Sequence, residues 1–564
     1  MSLSLLESCK PRRWTTRHLA FATVVVLALI TLYYTALPQA PPEHWSTEPS
    51  FEQIPTPPEV WQRRTEQVKQ AFRHAYAGYE RHAMPHDELL PLTNSSKNNF
   101  NGWAVTVFDS LDTMILMGLN DEFARALPVV AAADFMPNPH VTSKLKNYAP
   151  FFETVIRYLG GLLAAYALSH EPILLQRADD LGRLLSPAFN TTSGFPMFGV
   201  NTANGTVTGG STGILAEIAS CQLEYSYLAL MTGNKDHFDK ADTIMKSLAR
   251  ANVTALGGML PRRWNLQTAK PADDALSVGA AADSAHEYLL KQYLLTAKTD
   301  RTSYQMYLRA TNEILTRLLY VSENRDLLYV TDTTRANFIP SHRFEHLSCF
   351  LPGLLALGAD QLDISMNHLD LGGLGPEGRR AYELLKDYDL RTLHKWVAEG
   401  LATTCYLMYA DQPTGLGPDE VRMLPKQDSS RSFQGQRAKS MVPTGRLWVN
   451  EMRKWRDGGE HGWPPGLGDK KPVRYTLEEM QNSKTRGAKN QVRDYTLGRT
   501  DYLLRPETLE SIYIMWRTTG DPIWRERGWA IFEALERETK TDSGYASVHN
   551  VLISPAPLDD DMPR

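Results

Sequence analysis

A chain of 564 residues can bury a large core and fits either one big domain or two ordinary ones. Its formal net charge of −4 and pI near 6.4 exclude a surface built to neutralise phosphate, so nucleic acid is not an expected partner. Aromatic content of 10% with 12 Trp suits a helical core at least as well as it suits stacking on sugars.

The first informative segment is Leu19 to Leu37, an apolar run about 19 residues long, enough for a helix to cross a hydrocarbon core of roughly 30 Å. Lys10, Arg12, Arg13 and Arg17 precede it, and Pro38, Pro41, Pro42 and Glu43 follow. The positive-inside rule then predicts residues 1–18 as a cytosolic tail, 19–37 as an uncleaved signal anchor and the rest as lumenal. A cleaved signal peptide is the competing reading, but its apolar stretch is usually only about 7 to 15 residues. Prolines at 38, 41, 42, 49, 55, 57 and 58 make 38–58 an extended stem, and the lumenal domain spans 59–564.

Four Asn-x-Ser/Thr triplets, at Asn94, Asn190, Asn204 and Asn252, are candidate glycosylation sites and agree with a lumenal domain. Cys9 falls on the cytosolic side, so three cysteines remain in an oxidising compartment and permit one bridge. Cys221 lies in the apolar helical pattern Ile214 to Met231 and reads as a buried thiol, which makes Cys349 and Cys405 the expected pair.

From Val60 onward, helices of 12 to 20 residues recur between Gly-, Pro- or Asn-rich connections. The pattern predicts them over 61–81, 153–170, 214–232, 236–251, 283–296, 302–320, 379–409 with a break, and 507–518. Strand signals are short, as at 194–200 and 327–331, and never alternate with helices as a parallel sheet requires. The fold class is therefore all-α, with short β hairpins. Residues 427–499 are rich in Arg, Lys, Gly and Ser and read as a surface insertion.

Carboxylates at helix starts carry the chemistry. Glu153 and Arg157 stand four apart on one helix, which fits an ordinary ion pair or a general acid with its orienting cation. Ser284 and Glu287 match a capping box, while Asp283 just before them is not needed for one; the helix start would keep it ionised and able to polarise water. Glu507 and Glu510 follow Pro506 in a first helical turn, where acids also serve as dipole partners. The sequence contains no Ser-His-Asp elbow, zinc-spaced His cluster or phosphate loop, and paired carboxylates suit glycoside hydrolysis.

Six segments occur in order: Asp109–Leu119 (DSLDTMILMGL), Phe152–Leu162 (FETVIRYLGGL), Gln222–Tyr225 (QLEY), His346–Gly353 (HLSCFLPG), Pro413–Leu416 (PTGL) and Leu504–Thr508 (LRPET). Together they resemble the signature segments of the class I α1,2-mannosidases of glycoside hydrolase family 47, over about residues 60–558. The resemblance implies an (α/α)7 barrel, calcium dependence, inversion at the anomeric carbon, and removal of terminal α1,2-linked mannose from high-mannose N-glycans in the endoplasmic reticulum or Golgi. Carried over by position, Glu153 is the general acid, and Asp283 and Glu507 activate or position the water, with the base left open between them. Arg157, Glu224, His346, Arg505 and Glu510 match positions that hold the mannose, and Cys349 with Cys405 match the family bridge.

Three departures stand out. Asp419 occupies a catalytic position where the family carries Glu, and Ala281 replaces an Arg or Leu that sets specificity, which favours Golgi-like broad trimming. The family's terminal Asn-Thr-Glu-Ala-His hairpin, whose Thr ligates calcium directly, has no counterpart before Arg564, so no protein metal ligand is expected. A second reading follows: a mannose-binding or quality-control factor on the same barrel that holds glycans without cutting them. A structural membrane protein with no sugar role is the third.

Overall fold

A computed structural model describes residues 56–142, 147–333, 338–425, 445–475 and 493–563. The apolar run 19–37, nearly all of the stem, and 427–444 and 476–492 of the Arg- and Gly-rich region lie outside the described residues. The chain divides into two units, Met1–Gln62 and Arg63–Arg564, and the account below concerns the second.

Helix α1 (Pro58–His82) is followed by a series of helical hairpins. These pair α2 (Val105–Leu116) with α3 (Asn120–Ala132), and α4 (Phe151–Ser169) with α5 (Pro172–Leu184). After the one-turn α6 (Leu215–Ile218), α7 (Gln222–Thr232) pairs with α8 (Lys235–Arg250) and α9 (Asp283–Leu295) with α10 (Arg301–Glu313). Then α11 (Leu351–Gln361) packs on α13 (Leu390–Ala410), with α12 (Pro376–Leu385) between them in sequence. The last described pair, beyond α14 (Trp448–Asp457), is α15 (Glu507–Thr519) with α16 (Pro522–Glu538).

The first members, α2, α4, α7, α9, α11 and α15, pack side by side in that order. Their sequences explain the layer. Helix α8 buries only His237, Ala241, Ile244, Met245 and Leu248, a single stripe that leaves its far side to water. Helix α4 is apolar around most of its circumference, burying Phe151, Val155, Tyr158, Leu159, Leu162, Leu163 and Ala165. Its length and composition would let it span a membrane, but here it packs between α2 and α7. Gly161 permits that approach: a Cβ there would lie 2.3 Å from the Phe108 carbonyl oxygen of α2. At the other end of the series, α1 meets α16 through Arg64, which pairs with Glu526 at 3.0 Å and stacks over Trp529 at 4.7 Å.

The strands are short antiparallel pieces at the helix ends. Ala149–Pro150 pairs with Gly199–Val200, which pairs with Val207–Thr208; Thr212–Ile214 pairs with Arg263–Asn265; and Glu420–Met423 lies between Arg343–Glu345 and Tyr495–Arg499. The all-α expectation stands. The periodic stretch 214–232 breaks into α6 and α7 at Ala219–Cys221, where the backbone leaves helical geometry, and the first turn of α6 is tied to the loop before α9 by Ala216 N–H donating to the Ala281 carbonyl at 3.1 Å. The stretch 302–320 ends its helix at Leu318, and Leu319–Val321 turns into a strand paired with Leu328–Val330.

Cys349 and Cys405 form the expected disulfide, with Cα atoms 6.0 Å apart, and Cys221 is a free, buried thiol. The described parts of 427–499 are more than a solvated loop. Trp448 is fully buried, and Asp494, also fully buried, accepts from Ser322 Oγ, Asn324 N and Arg325 N at 2.8 to 3.0 Å. Burial of that carboxylate is matched by the Arg325 guanidinium at 2.8 Å, so composition alone misjudged this stretch.

Candidate active site

The starts of the first-member helices gather the candidate carboxylates. Glu153 is the third residue of α4 and is followed at once by a π-helical turn over Thr154–Leu159. Such turns widen the backbone and recur at functional sites. Within it Arg157 Nε donates to Glu153 Oε2 at 2.7 Å, its Nη1 stands 4.0 Å from Asp109, and its guanidinium lies 5.4 Å from the Phe100 ring. The helix start is fixed from below: Asn101 Nδ2 donates to Thr154 Oγ1 at 2.9 Å.

Asp283 opens α9. Its carboxyl is pushed up to about 7, first by burial and then by the charges of Glu287, Glu507 and Glu345, against a backbone N–H from Ser284. This corrects the expectation that the helix start keeps Asp283 ionised, since desolvation in the interior outweighs the helix dipole. The capping box is corrected too. Ala282 sits at the cap with no side-chain bond, Ser220 Oγ donates a hydrogen bond to Ser284 Oγ at 2.8 Å, and Glu287 pairs with Lys291.

Lys291 also reaches Glu510 at 3.6 Å, joining α9 to α15. Burial, reinforced by Glu287, still pushes the Glu510 carboxyl up to about 7. Glu224 on α7 is buried and pushed up to about 7, although Tyr288 OH donates to it at 2.7 Å. Glu507 Oε2 lies 3.1 Å from His346 Nδ1. A carboxylate only accepts, so Nδ1 is the donor of that pair, and the other ring nitrogen, Nε2, lies 2.6 Å from Tyr409 OH. His346 N–H donates to the Asp419 carbonyl at 2.9 Å, while the Asp419 carboxylate binds Arg505 Nε at 2.6 Å and Arg499 at 2.5 Å.

All nine predicted catalytic and mannose-binding residues thus lie in the described chain, most of them in direct contact with another or one residue away. Sequence reasoning missed Glu217, Glu345 and Tyr409. Glu217 on α6 is raised by burial and by the Glu153 charge, and Glu345 by burial against an N–H from Ala280 at 2.9 Å. Glu345 sits in a three-residue strand and Tyr409 in the last turn of α13, where an aromatic residue reads as core, so neither carried a catalytic signal. The four sequon asparagines are exposed; Asn204 and Asn252 accept from the hydroxyls of Thr206 and Thr254 at 2.7 and 2.8 Å.

Among the described residues no three His, Cys, Asp or Glu side chains converge as a metal ion needs. Glu507 is committed to His346, and Glu287 and Glu510 to Lys291. The described side chains do not fit a calcium ion by themselves.

The sequence profile of glycosyl hydrolase family 47 matches residues 71–563. The chain belongs to that family. It is 30% identical over 500 residues to mannosyl-oligosaccharide 1,2-alpha-mannosidase MNS1 of Arabidopsis thaliana, covering 87% of this chain and 71% of that protein. It is also 30% identical over 495 residues to mannosyl-oligosaccharide 1,2-alpha-mannosidase IC of Homo sapiens, covering 87% of this chain and 63% of that one. The fold superposes on the alpha-1,2-mannosidase from Trichoderma reesei with a TM-score of 0.68 at 25% identity, covering 89% of this chain and 90% of that one. The resemblance carried by the six segments is borne out, and family 47 supplies the hydrolase frame for the carboxylates above.

Proposed function

We propose that this family 47 member hydrolyses terminal α1,2-linked mannose from high-mannose N-glycans, with inversion, on an (α/α)7 barrel. The observation that carries the reading is that Glu153, Asp283 and Glu507 stand at the starts of α4, α9 and α15, helices of the one side-by-side series, with the Glu507 charge acting on Asp283. Glu153, oriented by Arg157, gives its proton to the leaving glycosidic oxygen as the C1–O bond breaks. A water attacks C1 from the opposite face and loses its proton to Asp283 or Glu507, giving β-mannose. Arg157, Glu224, His346, Arg505 and Glu510 hold the mannose, and Asp419 fixes Arg505. No step here runs through calcium.

The apolar run at 19–37 and its basic N-terminal flank support a single-pass type II protein of the Golgi or endoplasmic reticulum, with the four sequons as lumenal acceptors. Ala281, half-buried two residues before Asp283, leaves space that supports broad, Golgi-like trimming.

The test is mannose release from a high-mannose N-glycan by the purified protein, with calcium and with a chelator, reading the anomer by NMR as it forms. β-Mannose appearing first is expected. α-Mannose appearing first overturns the inverting mechanism, and glycan binding without release favours a mannose-binding factor.

A further inference from the structure

A cavity of about 110 Å³ lies beside the start of α4, lined among others by Phe152, Met197, Phe198, Gly209, Gly210 and Glu217. It is not an isolated packing defect. Phe151 N–H donates to the Phe198 carbonyl at 2.8 Å, so the cavity wall is bonded to the residue two before Glu153. Gly209, with φ of +145°, holds that wall close: a Cβ there would lie 3.0 Å from Phe198 Cβ and 3.1 Å from its nitrogen. Phe198 nevertheless remains 37% exposed, which leaves its ring available to a ligand.

The lining selects the ligand. Phe152, Phe198 and Met197 offer apolar surface, which suits the C–H face of a sugar ring. Glu217 supplies a carboxyl for hydroxyl groups, and its negative charge with Glu153 nearby disfavours phosphates and acids. The volume is well below the roughly 300–1,000 Å³ typical of drug-sized ligands, and fits part of one ring rather than a lipid or nucleotide. Resting on the hydrolase reading above, we propose that this cavity is a subsite for one hexose of the glycan outside the scissile linkage, with Phe198 as its platform and Glu217 as its hydroxyl acceptor.

Two variants test it in opposite senses. Phe198→Ala removes the platform, and Gly210→Leu fills the cavity, since a Cβ at 210 meets nothing closer than 3.7 Å. Affinity is read by calorimetry on the full chain in a Glu153→Gln background, where the glycan stays uncut, for a high-mannose N-glycan and for mannosyl-α1,2-mannose. Each variant is expected to weaken the glycan by about 3- to 10-fold, the size of one lost ring contact, and to leave the disaccharide within about twofold. Equal weakening of both ligands, or of neither, overturns the subsite. A glycan-selective loss in a protein that releases no mannose with Glu153 intact supports the subsite and overturns the hydrolytic reading instead.

Discussion

His346 connects two chemical settings: its Nδ1 meets Glu507 at 3.1 Å and its Nε2 meets Tyr409 at 2.6 Å. The ring comes from the turn before α11 and the carboxylate from α15, so their meeting fixes one of the two candidate water-activating groups in a single orientation. His346→Ala is expected to cost about 10- to 100-fold in kcat, a part of the ~10²–10⁴ a positioned base supplies. Tyr409→Phe should cost less, because Thr508 Oγ1 still reaches Nε2 at 3.2 Å. Steady-state kinetics with circular dichroism on both variants checks the order.

Glu153→Gln removes the proton donor while keeping a bond to Arg157. The expected result is a loss of about 10²–10⁴ in kcat on natural glycans. The loss should shrink on an aryl α-mannoside whose leaving group needs no proton, and equal losses on both substrates would assign Glu153 a structural role.

If Asp283 is the base, its raised carboxyl sets the pH dependence. A base must be ionised, so with its carboxyl at about 7 the activity is expected to fall as pH drops below about 7. Asp283→Asn should abolish that limb together with most of the activity if Asp283 is the base. If Glu507 is the base, the limb moves and residual activity persists. Profiles of kcat/KM against pH distinguish the two.

The Cys349–Cys405 bridge closes 56 residues and ties the turn before α11 to α13. Replacing both with Ser is expected to destabilise by about 2–4 kcal/mol, mainly by releasing the unfolded chain. Denaturant unfolding at matched pH measures it, and a change below about 1 kcal/mol would mean that helix packing carries this region without the bridge.

Asp419 is buried between Arg499 and Arg505. Asp419→Ala removes the carboxylate from Arg505 and from Arg499, which keeps Asp501, and with both guanidinium groups reachable by water a loss of about 1–3 kcal/mol in stability is expected. Asp419→Glu should retain activity only if the extra methylene can be absorbed without displacing Arg505, which a ratio of KM to kcat effects reads directly.

The sequence by itself determined the helical frame, because apolar residues recurring every three or four positions can be buried only as helices packed face to face. It also pointed to the bridge, and it singled out Glu153, Asp283 and Glu507 as candidates through contiguous segments that resemble those of family 47. Tertiary structure decided what those groups are. Asp283 looked like a helix-start carboxylate held ionised, yet burial among Glu287, Glu345 and Glu507 pushes it up to about 7. Glu217 and Tyr409 became part of the site only because α6 and α13 deliver them there. A carboxyl's proton affinity depends on the water it loses and the charges it meets. Those are set by residues distant in sequence, and local pattern carries no record of them.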